Sequence, residues 1–521
     1  MKHRSLIVFM IALLFLQASI SLAFIADSHG QLTPDVYVGV DLSYGDVAEA
    51  KAMIDQVSGF TNFIVIGSTR ITWYPNKLTE TFQYAYDSGL SFISLTPALS
   101  HVGFDATPND SQWLQYAEET WGDRLLGFYH LDEPGGRQLD RNSSRIQGNS
   151  TNIGSYDEAA NLYTQSLGGS IQRAETNHLN SSGYTLFTSD YALYWFDYKA
   201  GYDTIFAEFG WNYSRQLNVA LCRGAAELQN KDWGVMITWT YTEPPYIESG
   251  EELYKDLVLA YDNGAKYIVV FDGNEGWTGG IFGKEHLDAL RQFWNYIHNN
   301  PRKNYPISGR TAYVLPNGYG YGFRGPSDHI WGIWEAEWET DAFSLNMSKN
   351  VKSLLDEYKE NLDIIYDDGL QPGNTYGYSQ LIFWDSYSPP PPKISILSPQ
   401  NETYTESNVS LTFTLNKPVT WMGYGLDDKA QIALTENTTL LNLFDGLHNV
   451  TVYAKDEFDN MGVSETVHFI VSKPASEFSP TTLVIASSTI TAAIAVGVPV
   501  YFKKRNGLRA DEKNDTPLNE I

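Results

Sequence analysis

Between Val36 and Asn299, short runs of β-branched and aromatic residues alternate with amphipathic stretches. The runs Val36–Asp41, Asn62–Gly67, Ser91–Thr96, Leu125–Leu131, Thr185–Ser189, Thr204–Glu208, Gly234–Trp239 and Lys266–Asp272 predict strands. They are apolar nearly throughout, as suits parallel strands buried on both faces. Helical periodicity predicts Asp46–Val57, Lys77–Ser88, Ser111–Trp121, Tyr156–Asn177, Tyr213–Gln229, Glu251–Asp262 and Lys284–Asn299. Gly89 and Gly264 follow two of these, the residue that best tolerates a left-handed helix end. Eight strand–helix units in roughly 250 residues are the size of a closed (β/α)8 barrel, placed at 31–300. An open doubly wound sheet is the alternative, but no Gly-rich phosphate loop follows the first strand.

Beyond the barrel the pattern changes twice. Arg310–Pro316, Leu362–Tyr366 and Leu381–Trp384 read as strands and Ser348–Glu360 as a helix, giving a small α/β module at 309–388. Pro389–Pro392 is a stiff spacer. Period-2 strands such as Val409–Leu415, His448–Ala454 and Glu465–Val471 then predict an immunoglobulin-like β-sandwich at 393–473. Its expected role is to hold the barrel away from a membrane.

The two ends carry targeting signals. Lys2, His3 and Arg4 precede an apolar run and small residues at 21–23, which predicts a signal peptide over 1–23. An uncleaved anchor is the alternative. Residues 481–502 are uncharged and long enough to span a bilayer, and Lys503-Lys504-Arg505 follows. This predicts a single-pass anchor in the cell membrane, the N-terminal ectodomain outside and 503–521 in the cytoplasm. Ten Asn-x-Ser/Thr triplets, from Asn109 to Asn449, suit an exported glycoprotein.

Composition narrows the chemistry. With 35 Lys+Arg against 62 Asp+Glu the net charge is −27, which disfavours binding to a phosphate backbone. The single cysteine, Cys222, falls inside a predicted helix and reads as a core residue rather than a nucleophile. No His-Glu-x-x-His or Gly-x-Ser-x-Gly motif is present, so neither metal catalysis nor an esterase elbow is indicated, and no cofactor is expected.

Barrel active sites lie where the strands end. Those ends carry Asp41, Thr96, Asp132, Glu133, Asp190, Glu208, Glu243, Asp272 and Glu275, interleaved with Tyr129, Tyr191, Trp195, Trp211, Trp239, Tyr241 and Trp277. Carboxylates accept hydroxyl hydrogens and flat rings cover C–H faces, a combination suited to an oligo- or polysaccharide. Two acids flanking a glycosidic bond can cleave it. Glu208, directly at the end of the sixth strand, is ranked above Glu243 as the partner of a first acid. Arg215, a turn into the next helix, could instead engage Glu208 in a structural ion pair. Asp41, Asp132, Tyr129, Trp211, Trp239, Tyr241, Asp272, Glu275 and Trp277 are the expected substrate-binding set.

The fourth strand ends in Leu131-Asp132-Glu133-Pro134. This resembles the Asn-Glu-Pro that closes the fourth strand of clan A glycoside hydrolases. The resemblance implies Glu133 as general acid/base and a nucleophile at the end of the seventh strand, where Glu243 lies a few residues too far along. Asp132 departs from the clan's Asn, and its like charge helps raise the Glu133 pKa. The chain as a whole resembles archaeal surface proteins. The leading expectation is a membrane-anchored extracellular glycoside hydrolase. The rival is a non-catalytic glycan-binding or envelope protein, whose mouth acids would be engaged by Arg or Lys. The Trp-rich segment 331–338 is expected to pack the α/β module rather than overhang the mouth.

Overall fold

The computed structural model describes residues 36–95, 109–141, 153–174, 184–302, 306–322, 331, 342–368, 370 and 375–474. The proposed signal peptide, the span 481–502 and the tail 503–521 lie outside these residues, as do Thr96 and 332–338 of the Trp-rich segment. Among the described residues no helix is long and apolar enough to cross a membrane.

Eight parallel strands close into a barrel in sequence order. They are β1 (Tyr37–Leu42), β2 (Phe63–Ile66), β3 (Ser91–Leu95), β4 (Leu125–Tyr129), β5 (Thr185–Asp190), β6 (Thr204–Phe209), β7 (Asp232–Ile237) and β8 (Tyr267–Asp272). The helices are α1 (Val47–Val57), α2 (Thr69–Thr72), α3 (Pro75–Asp87), α4 (Asn109–Trp121), α5 (Pro134–Arg141), α6 (Tyr156–Ala174), α7 (Tyr194–Ala200), α8 (Arg215–Gln229), α9 (Gly250–Asp262) and α10 (Lys284–Asn299). Short α2, α5 and α7 were not expected from periodicity, because each follows a strand end and has too few residues to show a stripe.

Local chemistry sets the helix ends. Asp46 caps α1, accepting from the Val47 N–H, while the Glu49 side chain accepts from the Asp46 N–H. Asp46→Ala is expected to cost about 1 kcal/mol of stability, read as a lower denaturation midpoint at unchanged m-value. Gly89 and Gly264 sit at φ 80° and 94°, as the C-cap pattern required.

Inside the barrel, Phe63, Val65, Ile93, Tyr129, Phe187, Phe206, Met236, Tyr267 and Val269 fill the lumen. The barrel is therefore a packed core whose functional space is confined to its mouth. A second, larger apolar layer lies between strands and helices and continues into the α/β module.

That module has a parallel sheet of order β10-β9-β11, with β9 (Thr311–Leu315), β10 (Leu362–Tyr366) and β11 (Gln380–Phe383), and helix α11 (Ala342–Tyr358). Buried Asp363 on β10 binds Arg223 of α8 at 2.7 Å and Arg310 at 2.7 Å, so barrel and module share one ionic bolt. Trp331 is buried and packs on Tyr163 of α6 and Phe196 of α7.

Residues from Pro390 onward form a second compact unit. Its strands are β12 (Ile394–Ser398), β13 (Thr403–Tyr404), β14 (Val409–Leu415), β15 (Trp421–Leu426), β16 (Ile432–Leu434), β17 (Thr438–Leu440), β18 (Gly446–Lys455), β19 (Met461–Val463) and β20 (Val467–Val471). One sheet runs β12-β14-β17 and the other β13-β20-β18-β15-β16, with β19 on β18. Val409, Leu411, Phe413, Val450, Val452 and Phe469 form its core. The strict in–out alternation of β18 is the signature of a half-buried antiparallel strand.

Candidate active site

Side chains alternate in and out along a strand, so lumen residues locate the layer above them. Two positions beyond Phe187 and Phe206 stand Ser189 and Glu208, and Asp41 is the corresponding inward residue of β1. These groups crown the apolar lumen at the strand ends. Glu208 and Asp41 are only 5% and 6% exposed.

The end of β4 is forced into an unusual path. Leu131 and Glu133 have φ of 56° and 48°, left-handed values that cost non-glycine residues on the order of 1–3 kcal/mol each. The path is held by three hydrogen bonds. Thr188 Oγ1 donates to the Leu131 carbonyl at 2.5 Å, Tyr202 OH to that of His130 at 2.7 Å, and the Glu133 N–H to that of Ser189 at 3.1 Å. Asp190 completes the clamp. Its carboxylate accepts the N–H groups of Gly135, Gly136, Tyr191 and Ala192, capping α5 from another strand. Burial pushes Asp190 up to about 6 against these donors. A Cβ on Gly135 would lie 2.5 Å from the Ala192 carbonyl, and one on Gly136 2.2 Å from the Tyr191 ring. Both glycines are needed for that approach.

This path brings Glu133 into side-chain hydrogen-bonding contact with Glu208. Two carboxylates cannot share a hydrogen bond unless one holds a proton. Burial and the neighbouring charges of Asp132 and Asp190 raise Glu133 to about 7. Burial, then Glu133 and Asp132, raise Glu208 well above the ordinary range. The pair therefore retains a shared proton at neutral pH. Glu208, the more deeply buried partner, is the more strongly raised of the two. Among the described residues neither forms an ion pair with Lys or Arg. Arg215 binds Asp256 at 2.8 Å and Glu248 at 3.3 Å instead of Glu208.

At the barrel mouth opens a cavity of about 480 Å³, which Tyr129 and Asp132 line but Glu133 and Glu208 do not. Asp41, Asp132, Tyr129, Arg70, Phe271 and Trp277 are among its lining residues. Burial raises Asp41 to about 7, opposed by the Ser43 hydroxyl, which donates to it at 2.9 Å. Trp277 is 49% exposed and stacks on Trp239 at 6.2 Å, so one aromatic face is presented at the mouth. Asp132 is exposed and lies 3.6 Å from Arg137.

The expected substrate-binding set divides. Asp41, Asp132, Tyr129 and Trp277 line the cavity, and Trp239 supports Trp277 from behind. Trp211 and Tyr241 are not lining residues; the Trp211 N–H bonds the Trp239 carbonyl and Tyr241 is exposed on its loop. Glu275 is exposed beside the cavity residue Gly276. Asp272 is occupied in fastening its own loop, accepting from the Ile281 and Phe282 N–H groups at 2.6 and 3.2 Å. β7 ends at Ile237, so the longer strand that Glu243 needed does not form. Glu243 is exposed in a turn, its carbonyl accepting from the Tyr246 N–H. Ser189, Ser43 and Arg70 were missed. For Ser189 the signal was its place two residues beyond inward Phe187. Among the described residues no group of three His, Cys, Asp or Glu is arranged to hold a metal.

Neither a family model nor a curated protein matches this chain. Solved structures with a similar barrel include glycosidases. A beta-glycosidase matches at 10% identity and TM-score 0.33, over 52% of this chain and 99% of its own. The beta-glucuronidase of Parabacteroides merdae matches at 8% identity and TM-score 0.22, covering 84% of this chain and 50% of its own. This chain thus spans about half the length of that enzyme. A thiamine phosphate pyrophosphorylase from Pyrococcus furiosus matches the barrel comparably, at 10% identity and TM-score 0.26, over 52% of this chain and 98% of its own.

Proposed function

We propose that this protein is a glycoside hydrolase whose catalytic pair is Glu133 and Glu208. The observation that carries the reading is the contact between two carboxyl groups from different strands, at a barrel mouth whose cavity is lined by Asp41, Asp132 and the rings of Tyr129, Phe271 and Trp277. Glycosidic cleavage needs one protonated and one ionised carboxyl on either side of a single bond. The contact is shorter than the ~5 Å gap of retaining enzymes and further still from the ~6.5–9.5 Å of inverting ones, so a retaining mechanism requires the two carboxyls to part when a sugar enters between them. Glu208 is the proton donor to the leaving oxygen, because burial keeps it neutral. Glu133, the more exposed and more readily ionised, is the attacking carboxylate. This reverses the role that the clan A resemblance implied for Glu133, and it places the partner on β6 rather than β7. Asp41, Asp132 and Trp277 hold the sugar. The layout is an ectodomain of barrel, α/β module and sandwich, exported by 1–23 and anchored by 481–502.

The test is to incubate the purified full-length protein with α- and β-linked glycans and aryl glycosides and analyse products. Cleavage that disappears in Glu133→Gln supports the reading. Binding without cleavage across the panel favours the non-catalytic glycan-binding rival, and cleavage unaffected by Glu133→Gln removes Glu133 from the mechanism.

A further inference from the structure

Four side chains form a continuous line from the cavity mouth to the buried acid. Tyr129 OH bonds Asp132 Oδ1 at 2.6 Å, Tyr129 OH and Ser189 Oγ are 2.7 Å apart, and Ser189 Oγ bonds Glu208 Oε1 at 2.5 Å. Each contact is within hydrogen-bond range, so each needs a hydrogen between its oxygens. A hydroxyl supplies one hydrogen and an ionised carboxylate none. Two hydroxyls therefore cannot fill three contacts. The third hydrogen must sit on one of the terminal carboxyls, and its place sets the direction of the whole line. With Glu208 protonated toward Ser189, its contact with Glu133 being held by a proton on Glu133, Glu208 donates to Ser189, Ser189 to Tyr129 and Tyr129 to Asp132. With Asp132 protonated, every bond reverses. The backbone N–H of Ser189 donates to Tyr129 OH at 3.1 Å in either state and fixes the phenol in place.

The ends differ as a relay requires. Glu208 is 5% exposed, whereas the Asp132 side chain is 54% exposed and next to Arg137. We propose that Tyr129 and Ser189 are a two-hydroxyl proton relay through which buried Glu208 exchanges its proton with solvent at Asp132. Transfer is balanced. A proton taken up by Asp132 passes to the Tyr129 oxygen as the phenol hydrogen moves to Ser189 and the Ser189 hydrogen moves to Glu208. One proton crosses, no charge is left on either hydroxyl, and no other reactant is consumed. That the relay serves a proton donor rests on the proposed hydrolysis; the relay itself does not. Tyr129 and Ser189 are thus positioning residues acting through Glu208.

The test reads ionisation without substrate, so its outcome is separate from whether any glycan is cleaved. The full-length protein is labelled with ¹³C at Asp and Glu side-chain carboxyls and titrated by NMR, with Glu208→Gln and Asp132→Asn assigning the two signals. The groups facing Glu208 are Glu133, Asp132 and Asp190, and those facing Asp132 are Arg137, Asp41 and Tyr129; all persist in Tyr129→Phe except the phenol. Without that phenol, Ser189 loses its acceptor and turns its hydrogen toward Glu208, which then ionises more readily. Asp132 loses a donor and ionises less readily. The expected result is opposite movement, the Glu208 midpoint falling and the Asp132 midpoint rising, each by on the order of one pH unit, the size of a lost or gained donor to a carboxylate. An unchanged Glu208 midpoint with only Asp132 shifted overturns the proposal, since each hydroxyl would then serve its own carboxylate separately. If Tyr129→Phe does not fold, Ser189→Ala and Ser189→Thr read the line from its other side. The Glu208 midpoint is expected to fall in the first, because the acid loses the acceptor of its proton, and to stay in place in the second; a rise in Ser189→Ala, as for a carboxylate that loses a donor, overturns the relay.

Discussion

Glu208→Gln is expected to lower kcat on glycosides with alcohol leaving groups by roughly 10²–10⁴-fold, the usual contribution of a positioned general acid. Gln retains the shape and can still hydrogen-bond Ser189, but has no acidic proton to give. The loss should shrink sharply on aryl glycosides whose phenolate leaves unaided, because protonation then contributes little to the transition state. Glu133→Ala is expected to behave differently: both substrate types lose activity, and azide restores turnover on the aryl glycosides by attacking from the vacated side. Measuring kcat and KM for both variants on both substrate types checks the assignment. If Glu133→Ala retained aryl glycoside turnover and Glu208→Gln lost it to azide-rescuable levels, the two roles would be interchanged. KM should change little in Glu208→Gln, since burial leaves it small contact with a bound ground-state sugar.

Most of the barrel was legible from its sequence. α10 begins and ends at the residues its stripe indicated, β10 was read to the residue, and the eight strands fall within a few residues of their apolar runs. Such elements are specified locally, by burial pattern and caps. α5 was not legible for an equally physical reason. Pro134-Gly135-Gly136 looks like a helix breaker, but its N–H groups are satisfied by Asp190 on a different strand. α7 likewise starts from Leu193 at φ 57°, a conformation that no local signal announces. Glu208 was singled out because a lone acid between two phenylalanines at a strand end stands out, and the structure places it buried at the end of β6. Its partnership with Glu133 depended on the left-handed turns at Leu131 and Glu133, which only the clamp of β5 explains. Asp272 has a structural use that its residue type did not announce. An acid at a strand end resembles a substrate ligand until the loop amides it holds are seen. The free aromatic face at Trp277 and the supporting place of Trp239 follow from loop geometry, which residue type alone does not encode.

The same burial that poises the site should make the barrel more stable in mild acid than in base. Asp41 and Glu133 are raised to about 7, Glu248 to about 8 and Asp190 to about 6, in every case chiefly by burial. Unfolded, these groups titrate near pH 4. Between about pH 4 and 8 the folded chain therefore binds more protons than the unfolded chain, and stability falls as pH rises through that window. Carboxylates with lowered pKa, such as Asp46 and Asp456, act oppositely, but their effect lies below about pH 4, where they begin to protonate. The net charge of −27 adds self-repulsion in the same direction as the buried acids. Calorimetry is expected to show the barrel transition on the order of 5–10 °C higher at pH 5 than at pH 8. Asp41→Asn isolates one contributor, because the amide oxygen still accepts from Ser43 while the charge is removed. At pH 8 this variant should be more stable than wild type by about 1–3 kcal/mol, and at pH 5 the difference should shrink to roughly a third of that, vanishing near pH 4. A barrel transition that rose with pH, or an Asp41→Asn effect of equal size at both pH values, would show that Asp41 is ionised in the folded protein across the range. The cavity would then hold two fixed negative charges at its floor and rim, an environment suited to a cation rather than to a neutral sugar.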